Sequence, residues 1–100
     1  MPKVFIVQED QTKDFRPAER WGELHVLILA KESRSMNNNQ LMDVLYRRLE
    51  GFMEGDFLLL VGSPKLIGMA FLAANRIVAK FNILVWDRLR YTYNQETIDE

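Results

Sequence analysis

The sequence holds no cysteine and a single histidine, His25. Without Cys there is no disulfide framework, no thiolate metal site and no thiol nucleophile. One His inside an apolar strand argues against a Ser-His-Asp triad or a His-based metal centre, and for a structural role. An excess of either charge is also missing: 13 Lys+Arg face 14 Asp+Glu, a formal net charge of −1. The electrostatic footprint of a general nucleic-acid binder is therefore absent. Long apolar runs are lacking too. The first ten residues contain only four consecutive apolar ones, Val4 to Val7, against the roughly 7–15 of a signal-peptide core. No run approaches the roughly 20 residues of a spanning helix. These absences point to a cytoplasmic protein with no membrane partner.

What is present is apolar. Hydrophobic residues make up 48% of 100 residues, which suits one compact domain and excludes wholesale disorder. Four short apolar runs, residues 4–7, 24–29, 57–61 and 81–86, are nearly continuous rather than alternating. Runs of that kind mark strands covered on both faces, or on one face plus a partner.

A helical stretch separates the second and third runs. Leu41, Leu45, Leu49 and Phe52 form its apolar stripe, Asn37, Asn38 and Asn39 offer N-cap oxygens, and Gly55 stands at the expected stop. Between the third and fourth runs Ser63 is placed as N-cap and Pro64 as first helical residue. The helix that follows, from Leu66 to Val78, is so apolar that it must pack on more than one side, with Gly68 allowing close approach.

The expected fold is α/β: a single small Rossmann-like domain over residues 1–94, in the order β-β-α-β-α-β(-β). Its four- to five-stranded sheet is mostly parallel and carries two main helices. Leu89, Tyr91 and Tyr93 alternate with polar residues, as in an edge strand returning through Asp87-Arg88. Residues 95–100 carry three acids and read as a mobile acidic tail. Residues 9–22 show no period, and a connection that long is uncommon without a function. Two helices on one side would leave the other sheet face bare. That predicts a homo-oligomer, a two-fold dimer in the simplest case.

Parallel α/β sheets bind ligands at the carboxyl ends of their strands. If the first strand is parallel to the rest, that rim collects Gln8, Glu9 and Asp10, then Lys31 and Ser33, then Gly62, Ser63 and Lys65, with Asp87 and Arg88 after the fourth strand. The turn Gly62-Ser63-Pro64-Lys65 is the most distinctive local feature. A helix start favours an anion, yet the pattern is neither a dinucleotide fingerprint nor a phosphate-binding P-loop, and Pro64 removes an amide. An ordinary helix cap is the simpler reading. Glu9, Asp10, Asp14 and Asp87 lack the spacing of a cation site, so no metal and no cofactor is expected. Arg76, Lys80, Arg88 and Arg90 with Trp86, Tyr91 and Tyr93 have the ingredients of a single-stranded nucleic-acid surface. The plainer alternative is a charged edge that discourages aggregation.

Three strings resemble those of small bacteriophage-encoded α/β proteins: Pro17-Ala18-Glu19-Arg20-Trp21-Gly22-Glu23-Leu24, the stretch from Asp56 through Gly62-Ser63-Pro64, and Trp86-Asp87-Arg88. The resemblance covers most of the chain. It implies a protein of the infected cell's cytoplasm, such as a host-takeover or replication accessory, and carries over no catalytic residue. The sequence thus supports a small non-enzymatic binding or adaptor protein that self-associates. The alternatives are a nucleotide- or phosphate-ligand-binding domain using residues 62–65, and single-stranded nucleic-acid binding near residues 86–93.

Overall fold

The run at residues 4–7 becomes the centre of the sheet. In the computed structural model, which describes residues 1–99, β1 (Lys3–Gln8) lies between β2 (Glu23–Ile28) and β3 (Phe57–Leu59). Both its faces are covered: Phe5 and Val7 join one apolar layer, Val4 and Ile6 the other. An unbroken apolar run is what a doubly covered strand requires. Beyond β3 come β4 (Lys80–Asp87) and β5 (Thr92–Asp99), giving the order β2-β1-β3-β4-β5.

β2, β1, β3 and β4 pair in parallel, and β5 pairs antiparallel with β4. The sheet is therefore mixed, which corrects the expectation of a mostly parallel Rossmann-like domain. The return through Asp87 is a hairpin, as expected. Asp87 Oδ1 accepts from the amides of Leu89 (2.9 Å) and Arg90 (3.2 Å), and Tyr91 takes the left-handed conformation at φ 52°. The backbone N–H groups donated by the turn, that of Arg90 first, hold the Asp87 carboxyl below its usual range. The expected mobile tail is corrected as well. Gln95 to Asp99 continue β5 in register with β4, while Glu100 lies outside the described residues.

Among the described residues three α-helices accompany the sheet, one more than the apolar pattern announces. α1 (Ala30–Ser35) is short and polar, α2 spans Asn38–Arg48, and α3 spans Pro64–Ile77. α2 opens on a capping box: Asn37 Oδ1 accepts from the Gln40 amide and Gln40 Oε1 from the Asn37 amide, both at 2.9 Å. It stops at Arg48 rather than near Gly55, because Gly51 enters the left-handed region at φ 85°. α3 starts as expected, with Ser63 Oγ accepting from the Leu66 amide at 3.2 Å and Pro64 at the first position. Leu66, Ala70, Ala73 and Ala74 are buried between α2 and the sheet. Gly68 has open space beside it, so it is not the point of close approach.

α2 and α3 cover one face through a layer that includes Phe52, Phe71 and Phe81. The other face is not bare. Residues 9–22, the aperiodic connection, fold over it in a 3-10 helix (Arg16–Arg20) that buries Ala18, with Phe15 and Trp21 packed alongside. Trp21 Nε1 donates to Gln95 Oε1 at 3.2 Å and so ties the cover to β5. Asp14 anchors its start, accepting from the Arg16 amide (3.0 Å) and guanidinium (2.8 Å), and the Arg16 bonds pull its carboxyl down to about 2. Val4, Ile6, Leu59 and Leu84 are consequently buried within one chain. The premise of an uncovered face, from which a homo-oligomer was expected, does not hold.

A buried carboxylate secures the sheet at its amino-terminal edge. Asp56 accepts from the amides of Lys3 and Met53, each at 2.9 Å. It thereby ties the beginning of β1 to the turn before β3.

Candidate functional site

Because β1 is parallel to its neighbours, the carboxyl ends of β1, β2 and β3 meet on one edge. The chain leaves β1 toward β2 on one side and later crosses to β3 on the other. At such a reversal the connections depart in opposite directions and a crevice opens. An open cleft of about 880 Å³ lies there, bordered by Gln8, Glu9, Asp10, Lys31, Gly62 and Ser63 from the expected rim. Gln11, Lys13 and Arg34, which lie outside the expected rim, also line it. Lys31 and Arg34 stand three residues apart on α1, the spacing that puts two side chains on one helical face. That signal was available only once α1 was known to be a helix.

Gln8 forms the floor. Its Oε1 accepts from the Ser63 amide at 2.9 Å, and its Nε2 donates to Ser33 Oγ at 3.4 Å. One side chain at the end of β1 thus reaches the starts of both flanking connections. Gly62 makes this possible: at φ 120° a Cβ there would sit 2.5 Å from Gln8 Oε1. The turn at residues 62–65 is largely satisfied from within. Gln8 occupies the Ser63 amide, Pro64 has none, and Ser63 Oγ takes that of Leu66. This resembles a braced helix cap more than a phosphate cradle.

The electrostatics favour an anion on one side of the cleft. Glu9 is engaged, its Oε1 accepting from the Ala30 amide at 3.0 Å. Asp10 accepts from the Thr12 hydroxyl (2.6 Å) and amide (3.0 Å), bonds that lower its carboxyl below the usual range. Lys13 lies 3.8 Å from Asp10, a loose exposed pair. Lys31 and Arg34 are exposed and pair with no carboxylate among the described residues.

Other expected site residues lie elsewhere. Ser33 sits behind the lining and donates to the Ala30 carbonyl at 2.6 Å. Lys65 donates to Asn38 Oδ1 at 3.0 Å on the helix side. Asp87 and Arg88 belong to the β4–β5 turn, and β3 separates β4 from β1. The set considered for nucleic acid does not form one surface. Arg76, bonded to the Tyr46 hydroxyl, and Lys80, paired with Glu54, precede or begin β4, whereas Trp86, Arg88, Arg90 and Tyr91 lie at its far end and Tyr93 is buried. His25 stacks on Phe5 at 5.6 Å, with Nε2 2.6 Å from Glu23 Oε1, away from the cleft. Among the described residues no group of three or more His, Cys, Asp or Glu is placed to hold a metal ion. Nor is any helix among them long and apolar enough to cross a membrane.

A second, apolar cavity of about 370 Å³ lies under the cover formed by residues 9–22, bounded by Pro17, Leu60, Val61, Trp86 and Tyr93 with Lys13 and Asp14 at its edge. Trp86 and Tyr93 are cross-strand partners with ring centroids 5.0 Å apart. Burial raises the Tyr93 phenol above its usual range, and the nearby Asp14 adds to the effect.

Fold and cleft together define a small mixed α/β domain with an open polar crevice where its strand order reverses. Within that class the chain belongs to the family described as phage Pam3 gp32-like protein, whose model matches residues 2–100. The resemblance to bacteriophage-encoded proteins in the three strings is thereby borne out. No curated protein and no solved structure matches the chain.

Proposed function

We propose that this phage protein is a binding module whose cleft takes a small anionic ligand of the phosphate-ester class. One observation carries the reading: Lys31 and Arg34 line a cleft of about 880 Å³ at the strand-order reversal with no carboxylate pairing them among the described residues. Ligand clefts of roughly 300–1,000 Å³ at such positions are common in α/β proteins. Lys31 and Arg34 are carried on α1, and Gln8 fixes the floor between the connections. The role of the 62–65 turn is then to shape the wall, not to cradle the ligand.

Calorimetric titration with inorganic phosphate and ribose 5-phosphate tests this. The double substitution Lys31→Ala/Arg34→Ala is expected to weaken binding by about 100-fold or more, each lost charge-assisted hydrogen bond being worth roughly 1.5–3 kcal/mol. A ligand at 100 times its Kd also adds about 2.7 kcal/mol of stability, visible as a raised melting temperature. Absence of any heat or melting shift over millimolar ligand would sink the reading.

Self-association is favoured by a separate observation, the exposed Leu89 (92%) and Tyr91 (79%) at the β4–β5 turn. On that reading light scattering at micromolar concentration gives the mass of a dimer and Leu89→Asp returns a monomer. A monomeric wild type would end it.

A further inference from the structure

The polar cleft and the apolar cavity are neighbours. Lys13 lines both, and the backbone passes from the wall of one to the wall of the other between Val61 and Gly62. We propose that they are two halves of one site, and that its ligand is a phosphate ester carrying an aromatic ring, of the nucleoside monophosphate kind. The inference rests on the anion reading of the cleft and extends it to the class of ligand.

The cavity supplies what a base needs and little that a sugar or a second phosphate would use. Its walls are Pro17, Leu60 and Val61 with the rings of Trp86 and Tyr93. Trp86 is 41% exposed although it borders an apolar space, so part of its indole is open to a ligand. Tyr93 meets it edge-on, with 68° between the ring planes, and holds it in place from the adjoining strand. An aromatic ligand gains by stacking on such a ring, and any base can do so because each has a π-face. Asp14, the one carboxylate at the cavity edge among the described residues, is committed to Arg16 at 2.8 Å. The Lys13 ammonium makes a loose 3.8 Å contact to Asp10 at the junction, from which it can turn to a phosphate arriving there. A base in the cavity would therefore place its phosphate toward Lys13, Lys31 and Arg34, which line the adjoining cleft.

Titration of the whole protein with adenosine 5′-monophosphate, thymidine 5′-monophosphate and ribose 5-phosphate separates the two halves. At least one nucleotide is expected to bind about 5- to 150-fold more tightly than ribose 5-phosphate, the range that base–aromatic stacking supplies. That nucleotide should quench tryptophan fluorescence in the wild type. In Trp86→Leu its affinity should fall to that of ribose 5-phosphate, whose own affinity stays unchanged. Equal binding of all three ligands by the wild type, sensitive to Lys31→Ala/Arg34→Ala, would overturn the two-part site and leave the anion cleft standing. Binding of none of them would overturn both. The comparison of ligands on the wild type does not depend on Trp86→Leu folding.

Discussion

Phe81→Ala is expected to cost about 3–5 kcal/mol, the range for emptying an aromatic position in a closed core. Phe81 is wholly buried on β4 and meets Phe52 and Phe71 edge to face, with centroids 5.6 and 5.2 Å away. The three rings join the sheet to the segment after α2 and to α3, so neither side can close the gap without drawing away from the other. Small domains have only about 5–15 kcal/mol in total, and each kcal/mol moves the melting point of a chain this size by roughly 4–8 °C. The denaturation midpoint should therefore fall steeply in urea while the slope m is retained. Leu72→Ala, on the exposed side of α3 at 45% exposure, serves as the control and should cost less than about 1 kcal/mol. A similar small loss at Phe81 would mean that the ring is not enclosed.

The second large effect is expected at Glu32. Arg48 grips its carboxylate with both terminal nitrogens, Nη1 to Oε1 at 2.6 Å and Nη2 to Oε2 at 2.7 Å, and also donates to the Leu27 carbonyl at 2.6 Å. Glu32 Oε1 further accepts from the Leu29 amide at 2.8 Å. Glu32→Ala takes both carboxylate bonds from the Arg48 guanidinium and leaves the Leu29 amide without its acceptor. Breaking a buried pair costs about 3–5 kcal/mol, and with the Arg48 side chain 39% exposed water reduces this to about 2–4 kcal/mol. The Arg48 bonds, ahead of the opposing cost of burial, draw the Glu32 carboxyl from 4.5 to about 2. A carboxyl lowered by folding stabilises the native state above its unfolded pKa, and that contribution disappears as pH falls through the folded value. The stability gap between wild type and Glu32→Ala should thus be full above about pH 5 and shrink between 4.5 and 2. A gap that stays constant down to pH 2 would show that the ion pair is not its source.

What the sequence disclosed, and what it withheld, follows from the range of the forces involved. Short-range chemistry was legible: the Asn37 cap, the Ser63-Pro64 start and the hairpin through Asp87 depend on residues within a few positions of one another. So was β1, whose doubly apolar run fits only a covered strand. α1 was not, because Ala30–Ser35 has no apolar stripe and is held by distant partners, Arg48 through Glu32 and Gln8 through Ser33. The cover of residues 9–22 was hidden for a related reason. Phe15, Ala18 and Trp21 reach one apolar layer from a turn and a 3-10 helix, which leave no repeat to recognise. Half of the rim was foreseen once parallel strands were assumed. Lys13 and Arg34 were not, since their inclusion depends on where α1 and the cover come to rest.

The place of β1 also bears on synthesis. β1 is an inner strand, yet β3, its partner on one side, begins only at Phe57. At a translation rate of about 5–20 residues per second the wait is roughly 3–10 s. During that interval Val4, Phe5, Ile6 and Val7 can pair on one side alone, with β2. The nascent chain therefore carries a sticky, half-partnered strand until its second half emerges.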